Sequence, residues 1–239
     1  MRCLFLSVAT MIFAADTVAW RDLVTDQPSA VFNGKIGGWY LAESAEIDPT
    51  NPKRLTGKPG KGLLVNGKTG REPDLLTREA HGDVELELEF MMPKGSNSGI
   101  KFHSVYEIQL CDSYGHKGPL TGSECGGIYP RANLVPVYKH IDKGIAPKVN
   151  ACKAPGTWQK LTAIFLAPRF DADGKKTASA RIVKATLNGD IIHEDVELKT
   201  PTGHNWTKKE VERAPLLIQG DHGPVAFRNV RLRPYVSAK

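Results

Sequence analysis

The sequence predicts an all-β fold, a sandwich or barrel of short antiparallel strands in one domain. Three observations carry this. Residues Asp83 to Met92 alternate strictly: Val84, Leu86, Leu88, Phe90 and Met92 are apolar, and Glu85, Glu87 and Glu89 stand between them. That period of two belongs to a strand with one face in a core and an acidic face in solvent. Asn188-Gly189-Asp190 lies between two apolar runs, a strong hairpin signal because Asn-Gly supplies the two positive-φ residues of a tight turn. Helical periodicity is nearly absent, apart from one expected turn over Lys208–Arg213. A chain of 239 residues with 41% hydrophobic content can bury one sizeable core, which suits a single domain.

Taken from the N-terminus, the first element is a leader. Arg2 precedes an apolar stretch from Cys3 to Ala15, and small residues near Ala14-Ala15 and at Ala19 offer cleavage sites. A membrane anchor needs about 20 apolar residues, and Asp16, Arg21 and Asp22 stop this one short. The expectation is a signal peptide over 1–19, a single domain over 20–239, export to the periplasm or medium, and no stable membrane insertion. Further strands are expected at Gly99–His103, Tyr106–Cys111, Gln159–Ala167, Ala180–Leu187, Ile191–Val196, Leu216–Gln219 and Val225–Pro234. Asn66-Gly67 and Asp171–Gly174 mark turns. Two long stretches, Gly115–Ala132 and Pro136–Gly156, are rich in Gly, Tyr, His and Lys and read as binding loops.

Charge and cysteines exclude some function classes. The net charge of +6 comes from scattered basic residues with acids close by, and no basic block marks a nucleic-acid partner. Beyond the leader stand Cys111, Cys125 and Cys152. Cys125 and Cys152 lie in loop sequence and make the plausible disulfide, while Cys111 sits in a strand pattern as a small buried side chain. No Cys/His spacing suggests zinc. His103 and His116 bracket the next strand without a ligand pattern, so neither a metal nor a cofactor is expected.

The chemistry concentrates in Tyr106-Glu107-Ile108-Gln109-Leu110-Cys111-Asp112. Glu107 and Gln109 share a strand face, and burying such groups unpaired is costly. Asp112 would reach that face only through a β-bulge. The spacing resembles the E-x-D-x-x-E strand of concanavalin-like retaining glycosidases, with Gln109 in place of the middle acid and Asp112 in place of the last. Asn97 lies in the turn-to-strand run just before. Tyr129 ends a Gly-rich loop and can stack on a sugar ring. His222 and Arg228 lie in the C-terminal run Gln219–Val230.

Phe32-Asn33-Gly34-Lys35 with Gly38-Trp39, then Asn97–Ile100, Tyr106–Gln109, Gly127-Ile128-Tyr129, Trp158, Leu187-Asn188-Gly189 and Gln219–Val230 follow one another in a telling order. Together they resemble the 3-keto-disaccharide hydrolase domain family over about residues 30–235. The resemblance implies a concanavalin-like jelly-roll β-sandwich of two antiparallel sheets, with long loops over a concave face. It also implies an exported hydrolase or lyase acting on 3-keto-glycosides or related oligosaccharides. A ketone at carbon 3 acidifies the hydrogen on carbon 2, so a base can remove it and the glycosidic oxygen can leave by elimination. On this resemblance Glu107 is the candidate base, with Asp112 the alternative or the acid assisting the leaving group. Gln109, His222 and Arg228 would bind the carbon 3 oxygen or neighbouring hydroxyls, with Asn97 and Tyr129 as further substrate contacts. The rival class is a non-catalytic lectin-like module, which would need aromatics and amides but no acid pair. Convergence of Glu107, Gln109 and Asp112 on one pocket is the discriminating observation.

Overall fold

The computed structural model describes residues 18–237; most of the expected leader lies outside them. Two antiparallel sheets pack face to face. The larger holds β1 (Arg21–Asp22), β3 (Tyr40–Asp48), β4 (Asn51–Val65), β6 (Val84–Met91), β11 (Gln159–Leu166), β14 (Ala180–Leu187), β15 (Asp190–Leu198) and β17 (Ala226–Pro234). Their order is β15-β14-β11-β6-β17-β4-β3, with β1 on β17. The smaller sheet holds β2 (Phe32–Asn33), β5 (Leu75–His81), β7 (Asn97–Phe102), β8 (Tyr106–Cys111) and β16 (Ala214–Ile218), in the order β2-β5-β16-β7-β8. Two short ribbons pair β9 (Ala132–Asn133) with β10 (Lys139–His140) and β12 (Arg169–Phe170) with β13 (Lys176–Ala178). A single helical turn, α1 (Pro28–Val31), opens with proline at a position where no N–H is needed.

Alternation fills the space between the sheets. Leu86, Leu88 and Phe90 of β6 and Leu161 and Phe165 of β11 meet Ile100, Phe102, Ile108, Leu110 and Ile218 from the smaller sheet, all buried. Phe102 and Phe165 stack across the gap with ring centroids 4.7 Å apart. The β14–β15 hairpin turns through Asn188 at φ 57° and Gly189 at φ 97°, as the Asn-Gly signal requires.

The outer face of β6 differs from expectation. Its glutamates are not free in solvent but face a row of arginines on β17. Arg228 pairs with Glu89, Arg231 with Glu87 and Arg233 with Glu85. A register shift with Asn229 at φ 50° separates the first pair from the others. Burial pushes Glu89 up, but hydrogen bonds from Asn229 and Arg228 outweigh it and hold the carboxyl below the usual range. Trp158 lies under Arg228 at 4.2 Å, so this guanidinium is engaged both by Glu89 and by an aromatic face.

Two further expectations are corrected. Lys208–Arg213 forms no helix; this segment is irregular, after a turn at 204–207. Cys111, Cys125 and Cys152 are all free thiols, and Cys111 is half-buried. Cys125 and Cys152 thus do not form the expected disulfide; the Cys152 thiol lies 3.6 Å from the Cys111 carbonyl and 3.5 Å from its neighbour's, that of Lys153.

Candidate active site

The site grows from the β7–β8 hairpin. Phe102 faces Tyr106 across a three-residue loop in which His103 and Ser104 adopt φ of 51° and 61°. From that turn the register runs unbroken: Lys101 opposite Glu107, Ile100 opposite Ile108, Gly99 opposite Gln109, Ser98 opposite Leu110. Because side chains alternate, Ile100, Ile108 and Leu110 enter the core. Asn97, Gly99, Lys101, Glu107 and Gln109 therefore share the other face.

Two loops close over this face. The segment after β8 runs along its free edge, so the edge is covered rather than open. The Gln109 N–H donates to the Gly127 carbonyl at 2.8 Å, and the Tyr129 N–H donates to the Glu107 carbonyl at 3.1 Å. This pairing sets Tyr129 beside Glu107. Along the same edge the Thr202 hydroxyl accepts the Glu107 N–H at 3.0 Å and donates to the Val105 carbonyl at 2.9 Å. It anchors the turn that carries His204 and Asn205. Across β7, the Gln219 N–H donates to the Gly99 carbonyl at 2.9 Å.

The result is a cavity of about 290 Å³ in which Glu107 is the one carboxylate among the lining residues. Its side chain is 4% exposed and that of Lys101 10%, with Nζ to Oε2 at 3.3 Å. Burial holds the Glu107 carboxyl above the ordinary range, and the Lys101 charge only partly offsets this. Gly99 makes the arrangement possible, since a Cβ there would overlap Glu107 Oε1. We expect Gly99→Ala to displace that carboxylate and lower kcat/KM by about 10²-fold, the scale of a misplaced catalytic group. An unchanged rate in a folded variant would mean the carboxylate need not sit there.

Around the carboxylate the cavity is set for hydroxyl groups. Asn97, Gln109, Asn205 and Gln219 each present a carboxamide oxygen that is buried and unpartnered, four of the eight such polar atoms among the described residues. Unpaired buried acceptors cost free energy unless a ligand satisfies them. At the mouth the Tyr138 hydroxyl donates to that of Tyr129 at 3.2 Å, and His140 Nε2 lies 3.1 Å from the same oxygen. His222 is exposed and hydrogen-bonded to Asp221.

Five of the expected site residues thus converge: Asn97, Glu107, Gln109, Tyr129 and His222. Asp112 does not. No bulge interrupts β8, so Asp112 falls beyond the strand end, where its carboxylate accepts the Gly95 N–H at 2.8 Å and the Tyr114 N–H at 3.3 Å. Arg228 belongs to the ion-pair row on the other sheet. Lys101, Asn205, Gln219, Tyr138 and His204 were not anticipated. For Lys101 a signal existed, because it stands between the apolar Ile100 and Phe102 in the strand just ahead of a tight turn. His103 is no ligand candidate: it packs in the core 4.9 Å from the His81 ring and 5.1 Å from Phe165. Among the described residues no group of three His, Cys, Asp or Glu is placed to hold a metal ion.

A profile of the 3-keto-alpha-glucoside-1,2-lyase-like domain matches residues 27–233. No curated protein matches the chain. Three crystal structures of proteins from Parabacteroides distasonis, provisionally designated glycosyl hydrolases, share the fold. One has a TM-score of 0.56 at 21% identity, covering 84% of this chain and 82% of its own. A second has 0.56 at 18%, covering 91% and 100%. The third has 0.52 at 15%, covering 83% and 89%.

Proposed function

Since the chain belongs to the 3-keto-alpha-glucoside-1,2-lyase-like domain family, a family of carbohydrate-active enzymes, we propose that Glu107 is the base of an elimination on a 3-keto-glucoside. The single observation that carries this reading is a buried carboxylate that stands alone in a cavity of unpartnered amides. Direct displacement at an anomeric carbon uses two carboxyl groups, about 5–5.5 Å apart for retention or about 6.5–9.5 Å for inversion. The cavity offers one, and Asp112 is engaged elsewhere. Elimination needs only one base, provided the substrate brings an acidic C–H.

In the proposed sequence the ionised Glu107 takes the proton from carbon 2. The C–H electron pair moves into an enediolate on carbons 2 and 3, whose oxygen faces the Lys101 ammonium. The pair then forms the C1–C2 double bond as the C1–O bond breaks, and the aglycone leaves as its alcohol by taking the proton that Glu107 carries, which returns the carboxylate to its ionised form. Water adds back, its hydroxyl to carbon 1 and its proton to carbon 2, giving the free ketosugar. The four carboxamides hold the remaining hydroxyls, and Lys101 supplies the fixed positive charge at the developing oxyanion. We place this activity outside the cytoplasm, on the strength of the Arg2–Ala19 leader.

The protonation state gives a direct test. The base is active when ionised, and its carboxyl is raised by burial, so kcat/KM should climb with pH through a midpoint above the ordinary carboxylate range. Lys101 opposes that rise. Lys101→Met should therefore shift the midpoint further up and lower the plateau as well. A midpoint that stays put, or moves down, would remove Lys101 from this role.

A further inference from the structure

We propose that the aglycone released from the sugar beside Glu107 is apolar or aromatic, and that it seats in a second cavity on the far side of Tyr129. This rests on the function proposed above and adds a substrate class to it. The second cavity encloses about 370 Å³ and has Ile128, Ile145, Leu198, Pro201 and Tyr129 among its walls. It adjoins the first at Tyr129, which lines both, and at the junction of Thr202 and Gly203, where no side chain projects from residue 203.

The two cavities differ in what they lack. The first holds four unpartnered carboxamide oxygens, whereas none of the unpartnered buried atoms of the described residues belongs to the second. Its less exposed polar side chains are already matched, and the other two charged residues of its lining, Glu197 and Lys199, are exposed. Asp142 accepts from Arg131 Nε at 2.6 Å, from the Arg131 N–H at 3.0 Å and from the Gly144 N–H at 2.9 Å. The Arg131 guanidinium also lies 5.5 Å from the Trp206 ring. The Thr200 hydroxyl donates to the Pro201 carbonyl, and that of Thr202 to Val105. A second sugar ring would bring hydroxyls that need directed partners, and no buried unpartnered group waits there as it does in the first cavity. Apolar surface does wait, and it continues outward. Seven of the twelve exposed large hydrophobic residues among the described residues fall between 134 and 149, with Val135 83% and Val137 67% exposed at the tip of the β9–β10 ribbon. Tyr138 of that ribbon lines the first cavity, so this surface is continuous with the sugar site.

The test compares three 3-keto-glucosides of one anomer that differ only in aglycone: methyl, benzyl and glucosyl. All three leave as aliphatic alcohols, so differences in KM report on the aglycone's surroundings. Burying a phenyl ring is worth well over a factor of ten at about 25 cal/mol per Å². The benzyl compound should show a KM at least tenfold below both others. Ile145 is 39% exposed and pairs with Ile128 only through its backbone, so Ile145→Trp can fill the cavity and Ile145→Asp can make it polar. Either should collapse the benzyl-to-methyl ratio of KM toward one. A benzyl KM no lower than the methyl value, or a glucosyl KM below the benzyl value, overturns the inference from the wild-type protein alone. A ratio that survives both substitutions overturns it too. Turnover of none of the three is a different result, since it removes the proposed function first and this inference with it.

Discussion

Replacing Glu107 with glutamine should abolish cleavage of a 3-keto-glucoside almost completely. Removal of a general base typically costs about 10²–10⁴-fold, and no other carboxylate lines the cavity to take over. Glutamine keeps the shape above Gly99 and can still hydrogen-bond, so substrate affinity should stay within a few-fold. The substitution also leaves the Lys101 ammonium without its partner in a largely buried place, which is destabilising. The double variant Lys101→Met/Glu107→Gln removes both charges and should be equally inactive with a better-preserved fold, as read from thermal melting. Substantial activity in a folded Glu107→Gln protein would transfer the base to another group.

The second large effect concerns the substrate. The unoxidised glycoside should react slower by more than the 10²–10⁴-fold that a positioned base contributes. The carbonyl at carbon 3 is what stabilises charge left on carbon 2, and no group on the protein replaces that conjugation. Lys101 can hold an enediolate oxygen, but it cannot create one. Comparison of a 3-keto-glucoside with its parent glucoside at equal concentration measures this. Comparable rates would point to ordinary glycoside hydrolysis.

How much was legible before the fold was known follows from the local physics. The β6 strand, the β7 and β8 strands and the Asn188-Gly189 turn were readable, since alternation and positive-φ turn residues act over a few positions. β3, β4 and β5 were not. β4 contains Pro52, Pro59, Gly57, Gly60 and Gly62, which read as loop, yet along most of its length β4 pairs only with β3. A strand with one partner tolerates proline where its N–H side is free. Glu107 and Gln109 were legible because a polar face inside a strand demands a reason. Asp112 misled because its distance from Glu107 fitted a bulge that the unbroken register excludes. Arg228 misled because its partner, Glu89, lies 139 residues away and only the sheet order joins them. Asn205 and Gln219 were invisible as site residues, for their roles depend on loops that meet only in the folded chain.

The central claim is that carbon 2 loses its proton before the glycosidic bond breaks. It is tested most directly by running the reaction in heavy water and locating deuterium in the released ketosugar by NMR or mass spectrometry. Elimination followed by hydration predicts deuterium at carbon 2 of essentially every product molecule formed by the enzyme, in excess of a control for exchange of the free ketosugar. Product that still carries protium at carbon 2 would contradict the account and require attack at carbon 1 without deprotonation.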